Sequence, residues 1–223
     1  MRKPTVSILG CGWLGWPLAK ALCLLGYPVK GATTSRSKIP LLKADGITPF
    51  LIHIDPIPSE HPLDSLADFF HSDILILTIP FRRDFNPPQL YQHEIQSILD
   101  YLRKSKIGFV IFTSSTAVYP KLNCIWTEED SFVPGDERAK VLLSVEQMLF
   151  KENRFDTTVI RLAGLYGEDR RLGQSSLGHT LLEGGEQPMN LIHQEDAVQI
   201  IIQIIAQNLR REIFNACADA HPT

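Results

Sequence analysis

One glycine spacing near the amino terminus constrains the fold more than any other feature of the chain. The stretch SILGCGWLGWPLAKAL (7–22) sets Gly10-x-Gly12-x-x-Gly15 between the apolar run TVSILG (5–10) and a segment in which Leu14, Leu18, Leu22 and Leu25 recur at helical spacing. A first glycine permits a sharp turn out of a strand, a second leaves the backbone bare for close approach of an anion, and a third lets helix and strand pack tightly. Strand, turn and helix in this order predict a β-α unit whose helix start can receive a pyrophosphate.

The rest of the chain continues that alternation. PVKGATT (28–34), FLIHID (50–55), DILILTIP (73–80), GFVIFTSS (108–115) and TTVIRLAG (157–164) are apolar or β-branched runs without the every-other-residue polarity of a half-exposed strand. Between them, Ile95, Ile98, Leu99 and Leu102, and then Leu142, Val145 and Leu149, recur at helical spacing. Strands buried on both faces and separated by amphipathic helices predict an α/β fold, a Rossmann-type doubly wound parallel sheet. After residue 164 the composition turns rich in Gly and polar residues, before an apolar helix from about Glu195 to Gln207 and a short strand-like EIFNAC. The expected division is a dinucleotide-binding domain over 1–164, and over 165–223 a small substrate-side lobe with a returning helix and strand.

About 20 residues beyond the glycines, a site for NAD carries an acid for the ribose 2′-hydroxyl. Here the residues are Thr33, Thr34, Ser35 and Arg36, and the first acid of the whole chain is Asp45. With 25 acids in 223 residues, about five would be expected in the first 44. Hydroxyls and a guanidinium without a carboxylate suit the 2′-phosphate of NADP, so Thr34, Ser35 and Arg36 are expected to bind it and NAD is the weaker fit. A solvated surface pair of Arg36 and Lys38 is the plain alternative.

A net charge of -3 and a pI near 6.2 argue against a nucleic-acid binder, and small ligands are the better expectation. Nowhere do ~20 uninterrupted apolar residues occur, so no membrane partner is expected. Cys11, Cys23, Cys124 and Cys217 have no zinc-like spacing and read as reduced thiols of a cytoplasmic protein. No metal motif and no Gly-x-Ser-x-Gly elbow is present.

FTSSTAVYP (112–120), TEED (127–130), IRLAGLYG (160–167) and NLIHQED (190–196) follow one another in an order that resembles the short-chain dehydrogenase/reductase superfamily, in particular its extended epimerase/dehydratase-like branch. The likeness covers nearly the entire chain. It implies that Gly10, Gly12, Trp13, Leu14 and Gly15 receive the cofactor's pyrophosphate. Ile79, Pro80, Thr113 and Ser114 would lie near the nicotinamide end. Ser115 matches the family's Ser/Thr that hydrogen-bonds a substrate oxygen, although short hydroxyl side chains also cap strand ends locally, and both roles fit this residue.

Active members of that superfamily carry Tyr-x-x-x-Lys on the helix after the fifth strand, with an acid four residues later. If Glu146 is that acid, Arg138 stands at the tyrosine position and Leu142 at the lysine position. Nor is the pair found elsewhere: the residues four after Tyr27, Tyr91, Tyr101, Tyr119 and Tyr166 are Gly31, Ile95, Ser105, Asn123 and Arg170. The glycine turn is also one residue narrower than is usual in the extended branch. Two functions fit. One is an NADP-dependent oxidoreductase or epimerase-like enzyme acting on a small polar, sugar-nucleotide or anionic substrate, with Ser115 polarising the substrate, Arg138 holding an anionic group, and Tyr119 or a water delivering the proton. The other is a binding protein that uses the dinucleotide as a structural or redox signal without turning it over. A homodimer is compatible with the fold. His193 is expected at the start of the last helix, bonded to backbone, with Glu195 or Asp196 as the cap.

Overall fold

Continuous apolar runs need cover on both faces, and the computed structural model, which describes residues 2–54, 63–81, 87–122, 124–171 and 188–222, supplies it. The runs form β1 (Val6–Leu9), β2 (Val29–Thr33), β3 (Thr48–Leu51), β4 (Ile74–Leu77), β5 (Phe109–Ser115) and β6 (Asp156–Leu162). Two short strands, β7 (Gly164–Tyr166) and β8 (Leu191–His193), pair with each other, and β9 (Ile213–Ala216) returns beside β6. The main sheet has seven strands in the order β3-β2-β1-β4-β5-β6-β9, every neighbouring pair parallel. From β1 the chain winds outward through β2 and β3, then returns to β4 on the other side of β1. The crevice at that reversal, at the carboxyl ends of β1 and β4, is where such sheets hold ligands.

The helices are α1 (Gly15–Leu24), α2 (Ile39–Ala44), α3 (Leu63–Phe69), α4 (Gln89–Leu102), α5 (Glu137–Phe150) and α6 (Gln194–Ala206). Leu18 and Leu22 of α1 and Ile201 and Ile205 of α6 pack on one face of the sheet with Val6 and Ile8. Ile95 and Ile98 of α4 and Val145 and Leu149 of α5 pack on the other with Leu75 and Leu77. Each fully buried Leu or Ile contributes about 1.5–3 kcal/mol. Helices on both faces explain why β1 and β4 are buried at every position.

The third strand lies two residues earlier than the run FLIHID suggests. Register with β2 pairs Lys30 with Thr48 and Thr33 with Leu51, so pairing starts where β2 starts and not where the apolar residues start. At this sheet edge Thr48 and Leu51 are exposed, which blurs the apolar signal; Asp55 lies outside the described residues. Helices α2 and α3, of 6 and 7 residues, are too short to show a helical period. At the start of α6 the cap is His193, whose Nδ1 accepts from the Glu195 N–H at 3.3 Å; Glu195 and Asp196 instead add negative charge to the first turn. The expected boundary after residue 164 falls within β7, after its first residue. Of the segment beyond it, α6 joins the core against α1 and β9 joins the main sheet, while 172–187 lies outside the described residues.

Candidate functional site

Gly10 leaves β1 with φ at +113°, in the region that favours glycine, and a Cβ there would stand 3.0 Å from Thr78 Oγ1 and 3.1 Å from the Thr78 carbonyl. Thr78 Oγ1 donates to the Gly10 carbonyl at 2.8 Å, tying the turn to the end of β4. A Cβ on Gly15 would meet the Gly10 oxygen at 2.2 Å, so the third glycine is demanded by the packing of helix on turn. Gly12 differs. Its nearest neighbour would be the Gly10 oxygen at 3.9 Å, so the fold leaves open space there. Leu14 at the start of α1 provides no side-chain cap, and no acid lies in the first turn. Uncapped N–H groups, the positive helix end and bare backbone at Gly12 form a cradle that a dinucleotide pyrophosphate fits. Beneath it Cys11 is a packing residue: burial pushes its thiol up to about 12, and its Sγ lies where a Cβ on Gly31 would fall, at 2.7 Å.

At the end of β2, Thr33 is buried and its Oγ1 accepts from the Ser35 N–H at 3.1 Å, which turns the chain. Ser35 and Ser37 hydroxyls meet at 2.9 Å, and Thr34, Arg36 and Ser37 are exposed. Asp45 is turned toward α1: Trp16 Nε1 donates to it at 2.9 Å and Lys20 pairs with it at 3.0 Å. These partners hold its carboxyl below the usual carboxylate range. Among the described residues no carboxylate pairs with Arg36.

At the ends of β4 and β5, Thr113 Oγ1 donates to the Leu77 carbonyl at 3.0 Å, and the buried Tyr91 of α4 donates to the Ile79 carbonyl at 3.0 Å. Pro80 is exposed beside Ile79. Ser115, half-buried, closes β5, and its Oγ accepts from the Ala117 N–H at 3.2 Å, which caps the 3-10 turn Thr116–Val118; among the described residues the hydroxyl hydrogen has no acceptor. Arg138 on α5 reaches the Phe81 carbonyl at 3.4 Å and stacks 5.1 Å over the Phe81 ring, next to Ile79 and Pro80; its Nε is buried without a partner among the described residues. Leu142, one turn later, is buried in the core.

The most tightly organised polar cluster was not visible as such in the sequence. Ser114, Arg161 and Asn215 are register partners across β5, β6 and β9. Glu146 of α5 and Arg161 are 2% and 4% exposed, and Arg161 Nη2 lies 2.8 Å from Glu146 Oε2, with Nε within 3.3 Å of both carboxylate oxygens. The buried Ser114 hydroxyl donates to Glu146 Oε1 at 2.5 Å, so this side chain serves the cluster beneath the strand end. Burial alone would lower the pKa of Arg161, but Glu146 and Tyr119 outweigh it and raise it. Arg161 Nη1 donates to the Tyr119 hydroxyl at 2.7 Å, and that hydroxyl donates in turn to Asn215 Oδ1 at 2.8 Å. The Tyr119 ring stacks on Trp126 and packs against Phe132, with centroids 5.8 and 4.7 Å apart. The available signal was Arg161, a lone charge inside an apolar run, which requires a buried counter-charge. Among the described residues, no hydrogen bond links Ser115, Tyr119 and Arg138 to one another. No group of three or more His, Cys, Asp or Glu among the described residues could hold a metal ion, and no helix there is long and apolar enough to cross a membrane.

A parallel sheet wound on both faces, with an uncapped glycine turn at its reversal, defines a dinucleotide-binding protein of the Rossmann class. Residues 8–217 match the model of the NAD dependent epimerase/dehydratase family, and the chain belongs to that family. It is 33% identical to Protein YeeZ of Escherichia coli K12 over all of this chain and 80% of that protein. Its fold is similar to an ADP-L-glycero-D-manno-heptose-6-epimerase from Helicobacter pylori, with TM-score 0.75, 18% identity, and coverage of 97% of this chain and 77% of the other. It is equally similar in fold to MoeE5 solved with UDP-glucose and NAD, with TM-score 0.75, 16% identity and the same coverage.

Proposed function

We propose that this protein is an NADP-dependent oxidoreductase or isomerase acting on a small polar substrate, a sugar nucleotide or another anionic molecule. The observation that carries the choice of NADP is the acid-free end of β2, where Thr34, Ser35 and Arg36 meet solvent and the nearest acid in sequence, Asp45, is held by Trp16 and Lys20. Arg36 grips the 2′-phosphate, and the N–H groups of Trp13 and Leu14 beside Gly10, Gly12 and Gly15 receive the pyrophosphate. Ile79, Pro80, Thr113 and the backbone of Ser114 line the nicotinamide end. When bound, the nicotinamide supplies or accepts a hydride. Ser115, whose hydroxyl hydrogen has no acceptor among the described residues, donates to a substrate oxygen; Arg138 holds an anionic group; Tyr119 or a water delivers the proton. Four free thiols support a reducing compartment such as the cytoplasm. Titration calorimetry tests the cofactor: NADPH binds at least about tenfold tighter than NADH, and Arg36→Ala removes that margin. Equal dissociation constants in the unaltered protein overturn it.

A second reading has its own support. Leu142 fills the lysine position with a buried apolar side chain, and the Tyr119 hydroxyl already accepts from Arg161 and donates to Asn215. Both features suit a protein that binds the dinucleotide without turning it over. Single-turnover mixing of NADPH with sugar nucleotides, aldehydes and quinones separates the two: decay of the reduced-cofactor absorbance supports the enzyme, and its persistence with every compound supports the binding protein.

A further inference from the structure

Trp13 sits inside the glycine turn, yet it is held from the far end of the chain. Gln194, the first residue of α6, donates its amide Nε2 to the Trp13 carbonyl at 2.6 Å. The indole lies against Gly167, where a Cβ would come within 3.0 Å of Trp13 Cζ2 and 3.4 Å of Gln194 Cβ, so the bare backbone makes room for the ring. Gly167 and Arg170 close a tight turn by exchanging two backbone hydrogen bonds, of 3.2 and 3.1 Å. That turn carries the Arg170 guanidinium to 5.7 Å from the centre of the Trp13 ring. Arg170 is exposed, and among the described residues no carboxylate pairs with it, those of its turn neighbours Glu168 and Asp169 included.

A guanidinium stacked on an aromatic face is oriented by that face while its N–H edge stays available to an anion. The aromatic residue here is itself one of the turn residues whose N–H groups surround the open space above Gly12. Over the Trp13 ring, the Arg170 guanidinium places a positive charge one side chain away from the turn that would receive the doubly negative pyrophosphate. We propose that Arg170 is a further dinucleotide-binding residue, its guanidinium stacked on Trp13 and directed at the pyrophosphate that the glycine turn receives. The inference rests on the dinucleotide reading above and adds to it a charge brought in from the carboxyl-terminal segment. Its recognition is blind to the 2′-position, which separates it from Arg36.

The test is titration calorimetry of the full chain with NADPH and with NADH. Arg170→Gln weakens both by about tenfold, whereas Arg36→Ala weakens NADPH alone. Raising the salt from about 0.05 to about 0.5 M narrows the gap between the unaltered protein and Arg170→Gln, because the lost contact is between exposed charges. Arg170→Lys keeps the charge without the planar stack and recovers part of the affinity. Thermal melting without cofactor changes little for either Arg170 variant, since the side chain is exposed. If the unaltered protein binds both cofactors and Arg170→Gln binds them as tightly, Arg170 has no such role. A loss confined to NADPH also overturns the assignment, because it moves Arg170 to the 2′-phosphate. If the unaltered protein binds neither cofactor, the dinucleotide reading itself has failed, and this inference falls with it.

Discussion

The glycine turn after β1 and the corner where β5, β6 and β9 meet lie along the same edge of the sheet but are built from different materials. At the turn, shape comes from the backbone. Gly10 needs its left-handed φ, Gly15 must lack a Cβ to clear the Gly10 oxygen, and Gly12 stands in open space. At the corner, shape comes from side chains on four elements: Ser114 and Arg161 meet on the Glu146 carboxylate, and Arg161 and Asn215 meet on the Tyr119 hydroxyl. A backbone site keeps its form across divergent sequences because few side chains enter it. A side-chain corner instead depends on each member of its set, because every buried polar group there is satisfied by another side chain.

Breaking the corner gives the largest effect. Glu146→Ala leaves the Arg161 guanidinium buried without its counter-charge and destabilises the protein by about 3–5 kcal/mol in urea unfolding. Replacing both partners with apolar residues of similar volume costs far less. If Glu146→Ala costs under about 1 kcal/mol, the corner is not held by this pair, and the contrast with the turn loses its basis.

The turn is probed by two substitutions that differ only in position. Gly12→Ala leaves unfolding free energy within about 0.5 kcal/mol, since the fold has space for the methyl group, but reduces NADPH affinity by about a hundredfold or more. Gly15→Ala, with its Cβ 2.2 Å from the Gly10 oxygen, lowers both stability and affinity. Equal behaviour of the two variants contradicts a division between a glycine kept for a ligand and a glycine kept for packing.

Tyr119→Phe sharpens the comparison at the corner. It removes the acceptor for Arg161 Nη1 and the donor to Asn215, and costs about 1–3 kcal/mol of stability by the same unfolding assay. The smallest effect lies under the turn. Cys11 has its pKa raised from 9.0 to about 12 by burial, so the folded protein keeps a proton that the unfolded chain releases above about pH 9. Stability from this group is intact below pH 9 and declines as pH rises toward 12. Between pH 8 and 10 the loss is about 1 kcal/mol, and Cys11→Ala abolishes that part of the slope.

Much of the scaffold was legible because its signals are local. The apolar runs around Ile8, Ile76, Val110 and Ile160 mark buried strands, and Leu18 and Leu22, Ile95 and Ile98, or Val145 and Leu149 mark helix faces. Short elements escaped, since β7 and β8 span three residues each and exist only through pairing with one another. Among the site residues, Gly10, Gly12 and Gly15 carry their reason in their spacing. Ser114 does not: alternation along β5 turns its hydroxyl toward Glu146 on α5, a partner 32 residues away in sequence.

From residue order alone follow the strand-helix alternation, the glycine turn, the lack of an acid before Asp45 and the missing Tyr-x-x-x-Lys pair, because each is a property of neighbours or of simple presence. Tertiary structure alone decided that Tyr119 is held between Arg161 and Asn215, and that Arg170 lies over Trp13. These facts depend on distances between segments 40 to 160 residues apart, roughly speaking, which only strand order and register determine.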